Sequence, residues 1–183
     1  MGCPHREQEP VGYRQVVLLP DAGPLITLAY ADALDLLLEP GWSLALVDMV
    51  LHEVTRNKTP TSNKLAEWSR KRQVKVLSTR TIHALSTDSV PPPRKRNLGE
   101  LAIQEVMTGL VLESPSRTGV FLFEDHKIAR AGFFLPDNCR KVSTRAFLLF
   151  LENRGGIQSA AAIERRAVRA GRRFSRLHFP PHR

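Results

Sequence analysis

Four acidic residues are spaced so that their side chains could act together on one ligand. Asp21 and Asp125 each follow a short apolar run, whereas Glu53 and Glu100 lie in segments with helical spacing. Two carboxylates about 4 Å apart repel each other by about 4 kcal/mol at an effective dielectric near 20. A divalent cation removes that repulsion, and Mg²⁺ and Mn²⁺ prefer oxygen ligands. The four acids are therefore candidate ligands of Mg²⁺ or Mn²⁺, with Glu124 as an alternate or supporting ligand beside Asp125.

A cation held in this way would promote hydrolysis of a phosphodiester. It would lower the pKa of a coordinated water and neutralise negative charge on the scissile phosphate. His52 and His126 are sequence neighbours of candidate ligands, but lone histidines are more often surface or packing residues. Because Cys3 and Cys139 lack the paired spacing of a zinc site, the donors favour Mg²⁺ or Mn²⁺ and leave the number of ions open.

The segments that must position these acids alternate between strand and helix patterns. The predicted strands are 16–19, 43–47, 74–77, 119–123 and 141–142, and the predicted helices are 25–38, 49–56, 62–72, 97–110, 144–153 and 157–171, with a turn into a short helix over 124–131. Alternation of this kind predicts a three-layer α/β sandwich with a mostly parallel sheet. Its functional crevice is expected beyond the carboxyl ends of the strands, where the acids would meet.

Each candidate acid also has a structural interpretation. Asp21, Asp48 and Asp125 stand where a side-chain oxygen could cap the following helix. Glu100 also fits a capping box that begins at residue 97, and Glu53 alone is typical of a solvated helix face. We interpret Asp48 as a cap outside the candidate site, and for the other acids both interpretations stay open.

Positive charge dominates the rest of the chain. The 27 lysines and arginines exceed the 18 acids and give a formal net charge of +9, which favours a polyanionic partner such as nucleic acid. No apolar run approaches the roughly 20 residues that span a bilayer, so no membrane segment is predicted, and the two cysteines and lack of an export signal predict a cytoplasmic protein. The candidate RNA-contacting residues are Arg94, Lys95, Arg96, Lys127, Arg130, Arg165, Arg166, Arg169, Arg172 and Arg173.

The two most basic segments have alternative interpretations. The loop at 91–96 combines three prolines with three cations, and the tail at 164–183 holds seven arginines against one acid. Either segment could instead be a solvated extension. Because Phe174, Leu177 and Phe179 interrupt the arginines of the tail, docking on the domain or on a partner protein is a third interpretation.

Taken in order, the acidic segments resemble the motifs of PIN-domain nucleases, of which the bacterial VapC toxins are the best known. The matching segments are VLLPDAGPLITL at 17–28, VLHEV at 50–54, GELAI at 99–103 and FEDHKIAR at 123–130. The resemblance covers about residues 15–150. It implies a Mg²⁺- or Mn²⁺-dependent endoribonuclease that cleaves cellular RNA through Asp21, Glu53, Glu100 and Asp125, and it implies an antitoxin partner. A homodimer is left open.

On this interpretation, residues 1–14 form an N-terminal extension, 15–153 the PIN-like domain, and 154–183 a basic C-terminal helix and tail. Haloacid-dehalogenase-like phosphatases fit poorly, because Gly23 stands where they need a second aspartate. Receiver domains also fit poorly, because this chain lacks the adjacent acidic pair that they need. Neither a P-loop nor a dinucleotide-binding glycine motif occurs. The alternative is a PIN-like module that binds RNA or a protein without cleavage.

Overall fold

A computed structural model describes residues 16–86, 98–124 and 135–173. The strands are β1 (Val16–Pro20), β2 (Ser43–Val47), β3 (Lys75–Leu77), β4 (Thr118–Phe123) and β5 (Cys139–Ser143). The helices are α1 (Ala22–Tyr30), α2 (Asp48–Thr55), α3 (Ser62–Lys71), α4 (Arg80–Ser86), α5 (Leu98–Glu113), α6 (Thr144–Asn153) and α7 (Ala160–Arg169), with a 3₁₀ turn at Leu34–Leu37. None of the helices in these ranges is long and apolar enough to cross a membrane.

The strands form one all-parallel sheet in the order β3-β2-β1-β4-β5. Leu18 in the central strand pairs with Leu44 of β2 and Val120 of β4. Consecutive residues are buried in the central strands, including Leu18 and Leu19 in β1, which means that both faces of the sheet are covered. The predicted α/β fold with a parallel sheet flanked by helices is confirmed, and the arrangement is compatible with three layers.

The direction in which the chain builds the sheet changes at β1. The chain runs outward from β1 through β2 to β3, and then returns to the other side of β1 to form β4 and β5. In open parallel sheets such a switch opens a crevice at the carboxyl ends of the two strands that flank it. Asp21 directly follows β1 and Glu124 directly follows β4, so these two acids flank the crevice.

The first helix is shorter than its sequence pattern predicts. A single helix over 25–38 was wrong: α1 begins at Ala22 and ends at Tyr30, and Leu34–Leu37 forms a separate 3₁₀ turn. Asp32 has a φ of 49°, which no right-handed helix can include. Leu25 and Leu28 of α1 and Leu34 and Leu37 of the turn are nevertheless buried, so the apolar spacing continues across the break and hides it.

Other elements differ from the prediction mainly at their ends. The predicted strand 43–47 and helix 144–153 are confirmed, whereas β5 extends over Cys139–Ser143 and α5 continues to Glu113. Helix α7 begins at Ala160, because Ser159 caps it by accepting a hydrogen bond from the Ala162 N–H. The loop at 91–96 and nearly all of the turn and short helix at 124–131 lie outside the described residues.

Helix α4 occupies a segment for which the sequence pattern predicted neither a helix nor a strand. Its first backbone N–H groups, at Arg80 and Thr81, donate to the carboxylate of Glu105 on α5 at 2.8 and 3.3 Å. A carboxylate at a helix N-terminus satisfies N–H groups that have no partner within the helix. Because Glu105 lies 25 residues from Arg80, local sequence does not reveal this capping.

Candidate functional site

Asp21 lies at the carboxyl end of β1 and is the N-cap residue of α1. Its backbone N–H donates to the Leu122 carbonyl at 2.9 Å, which fixes Asp21 beside the end of β4. Its side chain makes no capping hydrogen bond to α1, all of whose N–H groups belong to the described part of the chain. The capping interpretation of Asp21 therefore does not hold for this helix.

Glu124 lies at the carboxyl end of β4 and is part of a buried polar cluster. The Thr27 hydroxyl lies 2.8 and 2.9 Å from the two Glu124 carboxylate oxygens and donates its single proton to them. The Arg172 guanidinium pairs with Glu124, with Nη2 2.6 Å from Oε2, and its Nε donates to the Thr27 hydroxyl at 2.8 Å. The Glu124 and Arg172 side chains are only 9% and 19% exposed, and Thr27 is 1% exposed, so these charge-assisted bonds lie largely out of water.

The end of α7 brings Arg172 to this cluster. Ala160 and Ala167 are buried where α7 packs against α1 and α6. Gly171 follows with a φ of 106°, a left-handed conformation that favours glycine, and the Arg172 N–H donates to the Ala167 carbonyl at 2.9 Å. This capping turn ends α7, and the Arg172 side chain lies against Thr27 and Glu124.

Glu53 contacts the first turn of α5. Its carboxylate accepts a hydrogen bond from the Gly99 N–H, and a β-carbon at Gly99 would lie 2.9 Å from Glu53 Oε2. Burial raises the pKa of the Glu53 carboxyl, while the Gly99 N–H and the charges of Arg56 and His52 offset part of this effect. The solvated-face interpretation of Glu53 is therefore wrong, since this acid is half-buried and caps another helix.

Glu100 follows Gly99 in the first turn of α5, so the turn that Glu53 caps also carries the third candidate acid. Glu100 is half-buried. A capping box with Asn97 was the alternative interpretation, and Asn97 lies outside the described residues. The start of α5 therefore brings Glu53 and Glu100 into one neighbourhood.

The described candidate acids lie at two places. Asp21 and Glu124 directly follow β1 and β4, whereas Glu53 contacts the turn of α5 that carries Glu100, and α2 packs against both α1 and α5. Within 16–86, 98–124 and 135–173, no three acidic, histidine or cysteine side chains form a group that could hold a metal ion. The predicted ligand Asp125 lies outside these ranges. The all-oxygen donors match a hard cation in chemistry.

Asp48 lies at the same edge of the sheet but has a structural role. It is the first residue of α2 rather than its N-cap, which is Val47, so the capping prediction was inaccurate by one residue. Its carboxylate accepts from the Met49 N–H at 2.6 Å and from both the N–H and the hydroxyl of Thr79 at 2.7 Å. Asp48 thereby ties the end of β2 to the segment after β3.

Sequence reasoning missed Thr27 as part of the site. Thr27 shares the buried face of α1 with Pro24 and Leu28. A polar side chain on an otherwise apolar helix face must find a hydrogen-bond partner, and that was the available signal. The partners themselves, Glu124 and Arg172, lie 97 and 145 residues away in the chain.

The basic residues predicted to contact RNA fall into three groups. Arg165, Arg166, Arg169 and Arg173 are exposed on or just after α7, whereas Arg172 is turned onto Glu124. The remaining five lie outside the described residues: Arg94, Lys95, Arg96, Lys127 and Arg130. The exposed arginines of α7 therefore adjoin the segment that reaches the crevice.

Comparison with known proteins identifies no relative: no family model, no curated protein and no solved structure matches the chain.

Proposed function

We propose that this protein is a PIN-like endoribonuclease that uses Mg²⁺ or Mn²⁺ at the carboxyl edge of its sheet. The observation that carries the proposal is the position of the acids. Asp21 and Glu124 directly follow the two strands at the topological switch, and α2 brings Glu53 to the turn of α5 that carries Glu100. Ligand sites of open parallel sheets lie at this switch.

The proposed metal ligands are Asp21, Glu53, Glu100 and Asp125, with Glu124 beside them. A bound cation would lower the pKa of a coordinated water and offset charge on the scissile phosphate. The half-buried Glu53 carboxyl suits this role, because burial raises its pKa and carboxyl groups with perturbed pKa values are concentrated at functional sites. The Gly99 N–H orients Glu53 before any ligand arrives.

RNA would bind across the exposed arginines of α7. Four exposed arginines lie close in sequence to Arg172, which pairs with Glu124: Arg165, Arg166, Arg169 and Arg173. Contacts of this kind neutralise phosphates without reading sequence. The proposal extends to action in the cytoplasm and to an antitoxin that silences the enzyme.

A second candidate function is an RNA-binding module without activity. The observations in its favour are that Arg172 already neutralises Glu124 and that the described residues contain no group of three possible metal ligands. Such a module would retain the basic surface and use the acids to hold helices in place. Cleavage assays separate the two candidates.

The test is RNA cleavage by purified protein in Mn²⁺ or Mg²⁺, with a chelator as the metal-free reference. We expect Asp21→Asn and Glu100→Gln each to reduce cleavage by more than about 100-fold, since even changes outside the ligand shell typically cost 10–100-fold. Glu113→Gln is the matched control, because it makes the same change at the exposed far end of α5. Full activity in Asp21→Asn or Glu100→Gln contradicts the proposed site, and wild-type protein that binds RNA but never cleaves it supports the second candidate.

A further inference from the structure

The Arg172 guanidinium places a positive charge at the proposed metal site. Arg172 Nη2 lies 2.6 Å from Glu124 Oε2, and both side chains are largely shielded from water. Glu124 directly follows β4 at the topological switch. A guanidinium therefore already neutralises the Glu124 carboxylate, one of the acids at the carboxyl edge of the sheet.

A divalent cation and this guanidinium cannot both bind Glu124 without strong repulsion. Charges a few ångströms apart interact far more strongly in a partly buried site than in water. Thr27 makes the arrangement tighter, because it bonds both Glu124 and Arg172. Entry of a cation at Glu124 is thus opposed by the charge of Arg172 and is favoured when Arg172 moves away.

The position of Arg172 allows it to move without unfolding its helix. It lies beyond Gly171, where α7 has already ended, and α7 is held independently by the buried Ala160 and Ala167. Rotation of the Arg172 side chain breaks its bonds to Glu124 and Thr27 but leaves the packing of α7 on α1 intact.

We propose that Arg172 competes with a divalent cation for the Glu124 carboxylate, so that cation binding and release of Arg172 from the crevice are one coupled event. The proposal rests on the proposed function, because it takes the carboxyl edge of the sheet as the cation site. Arg172 then sets the metal affinity of the site and links its occupancy to the segment that follows α7.

The first test is calorimetric titration of metal-free protein with Mn²⁺. We expect Arg172→Met to lower the dissociation constant for Mn²⁺ by about tenfold or more, because it removes a competing charge. Arg173→Met is the matched control: it removes the same charge one residue later, where the side chain is exposed, and should change the dissociation constant by less than about twofold.

A double variant asks whether Arg172 acts through Glu124. In the Glu124→Gln background, Arg172→Met should change Mn²⁺ affinity little, because the carboxylate for which the two cations compete is absent. An equal effect in both backgrounds would show a general electrostatic influence and would overturn the competition.

The coupling between Mn²⁺ binding and release of Arg172 can also be measured on the wild-type protein. If Mn²⁺ displaces Arg172, Mn²⁺ must accelerate modification of the Arg172 guanidinium by phenylglyoxal, while Arg173 reacts at an unchanged rate. Peptide mass spectrometry measures both rates and does not depend on the folding of any variant. No acceleration at Arg172 at saturating Mn²⁺ would overturn the proposal.

The outcomes separate this proposal from the proposed function. Mn²⁺ binding by wild type with no tightening in Arg172→Met overturns the competition and leaves the metal site standing. Tight Mn²⁺ binding by Arg172→Met with no detectable binding by wild type supports the competition, because Arg172 would then exclude the cation completely. Absence of Mn²⁺ binding in both proteins overturns the competition and the metal site together.

Discussion

Two glycines at the residue scale set how closely the candidate ligands approach the backbone. A β-carbon at Gly23 would lie 2.9 Å from Cβ of Glu124, and one at Gly99 would lie 2.9 Å from Oε2 of Glu53. The first contact involves an atom close to the backbone, whereas the second involves the end of a flexible side chain. A larger residue at Gly99 is thus expected to move the Glu53 carboxylate rather than the fold.

Alanine at Gly99 should separate the stability of α5 from the geometry of the site. Gly109→Ala is the matched control in the same helix, where nothing lies within 4 Å of the new β-carbon, and it should raise the free energy of unfolding by about 0.5–1 kcal/mol. We expect Gly99→Ala to raise the free energy of unfolding by less than Gly109→Ala does. It should also weaken Mn²⁺ binding, because the Glu53 carboxylate must move away from the new β-carbon. Urea denaturation and Mn²⁺ titration measure the two effects, and equal behaviour of the two variants would contradict the contact.

The raised pKa of Glu53 predicts a pH-dependent stability difference. A carboxyl whose folded pKa lies above its unfolded value contributes stability that is full below the unfolded pKa and is lost as pH rises through the folded pKa. Glu53→Gln removes this loss of stability at high pH and keeps a side-chain oxygen that accepts a hydrogen bond from the Gly99 N–H. Metal-free Glu53→Gln should therefore be more stable than wild type at pH 7, and the difference should vanish below about pH 4.

Urea denaturation of wild type and Glu53→Gln across this pH range checks the sign of the stability difference. The exposed Glu113→Gln serves as the control and should show no comparable trend. A Glu53→Gln variant that is less stable than wild type at pH 7 would indicate that the Gly99 bond and neighbouring charges outweigh burial.

Residue types and spacing were sufficient to select the candidate acids but not their partners. Asp21 stands out because it follows a strand, Glu53 because it lies in the helix after the next strand, and Glu100 because it lies in the first turn of a later helix. Glu53 capping α5 and Arg172 pairing with Glu124 depend on contacts between distant segments. A charged residue in a basic tail gives no local sign that it turns inward.

Periodicity at the element scale predicted the alternation of strands and helices, because apolar spacing follows directly from which faces are buried. It failed where a backbone angle or a distant cap decided the outcome. Asp32 breaks α1 through a positive φ, and Glu105 stabilises the start of α4 from another helix. Strand order was also beyond the sequence pattern, since it depends on which strands pair.

The Arg172–Glu124 pair should anchor the end of α7 to β4. Removing one partner of a largely buried ion pair leaves the other charge uncompensated, so Arg172→Met and Glu124→Gln should each lower the free energy of unfolding by about 2–4 kcal/mol. The double variant should lose clearly less than the sum. A double-mutant cycle by urea denaturation measures the coupling, with the exposed Arg173→Met as control, and additive losses would contradict the anchor.

The net charge of +9 at the whole-molecule scale predicts salt-sensitive RNA binding through α7. Replacing Arg165, Arg166 and Arg169 together by glutamine should flatten the log–log dependence of affinity on salt by about 0.7–0.9 for each lost phosphate contact. Three exposed cations elsewhere, Lys58, Arg70 and Lys75, provide a control of equal charge change. Filter binding over a range of salt measures the slopes, and equal slopes for the two triple variants would contradict an α7 interface.

The central claim, that acids at the switch of this sheet hold a divalent cation, is tested most directly by thermal denaturation during a Mn²⁺ titration at pH 7.5. At about 100 times its dissociation constant, a cation that binds only the folded state adds about 2.7 kcal/mol of stability, which corresponds to several degrees in a domain of this size. We predict this shift for wild type and a much smaller one for Asp21→Asn. Identical melting temperatures for the two proteins across the whole titration would contradict the claim.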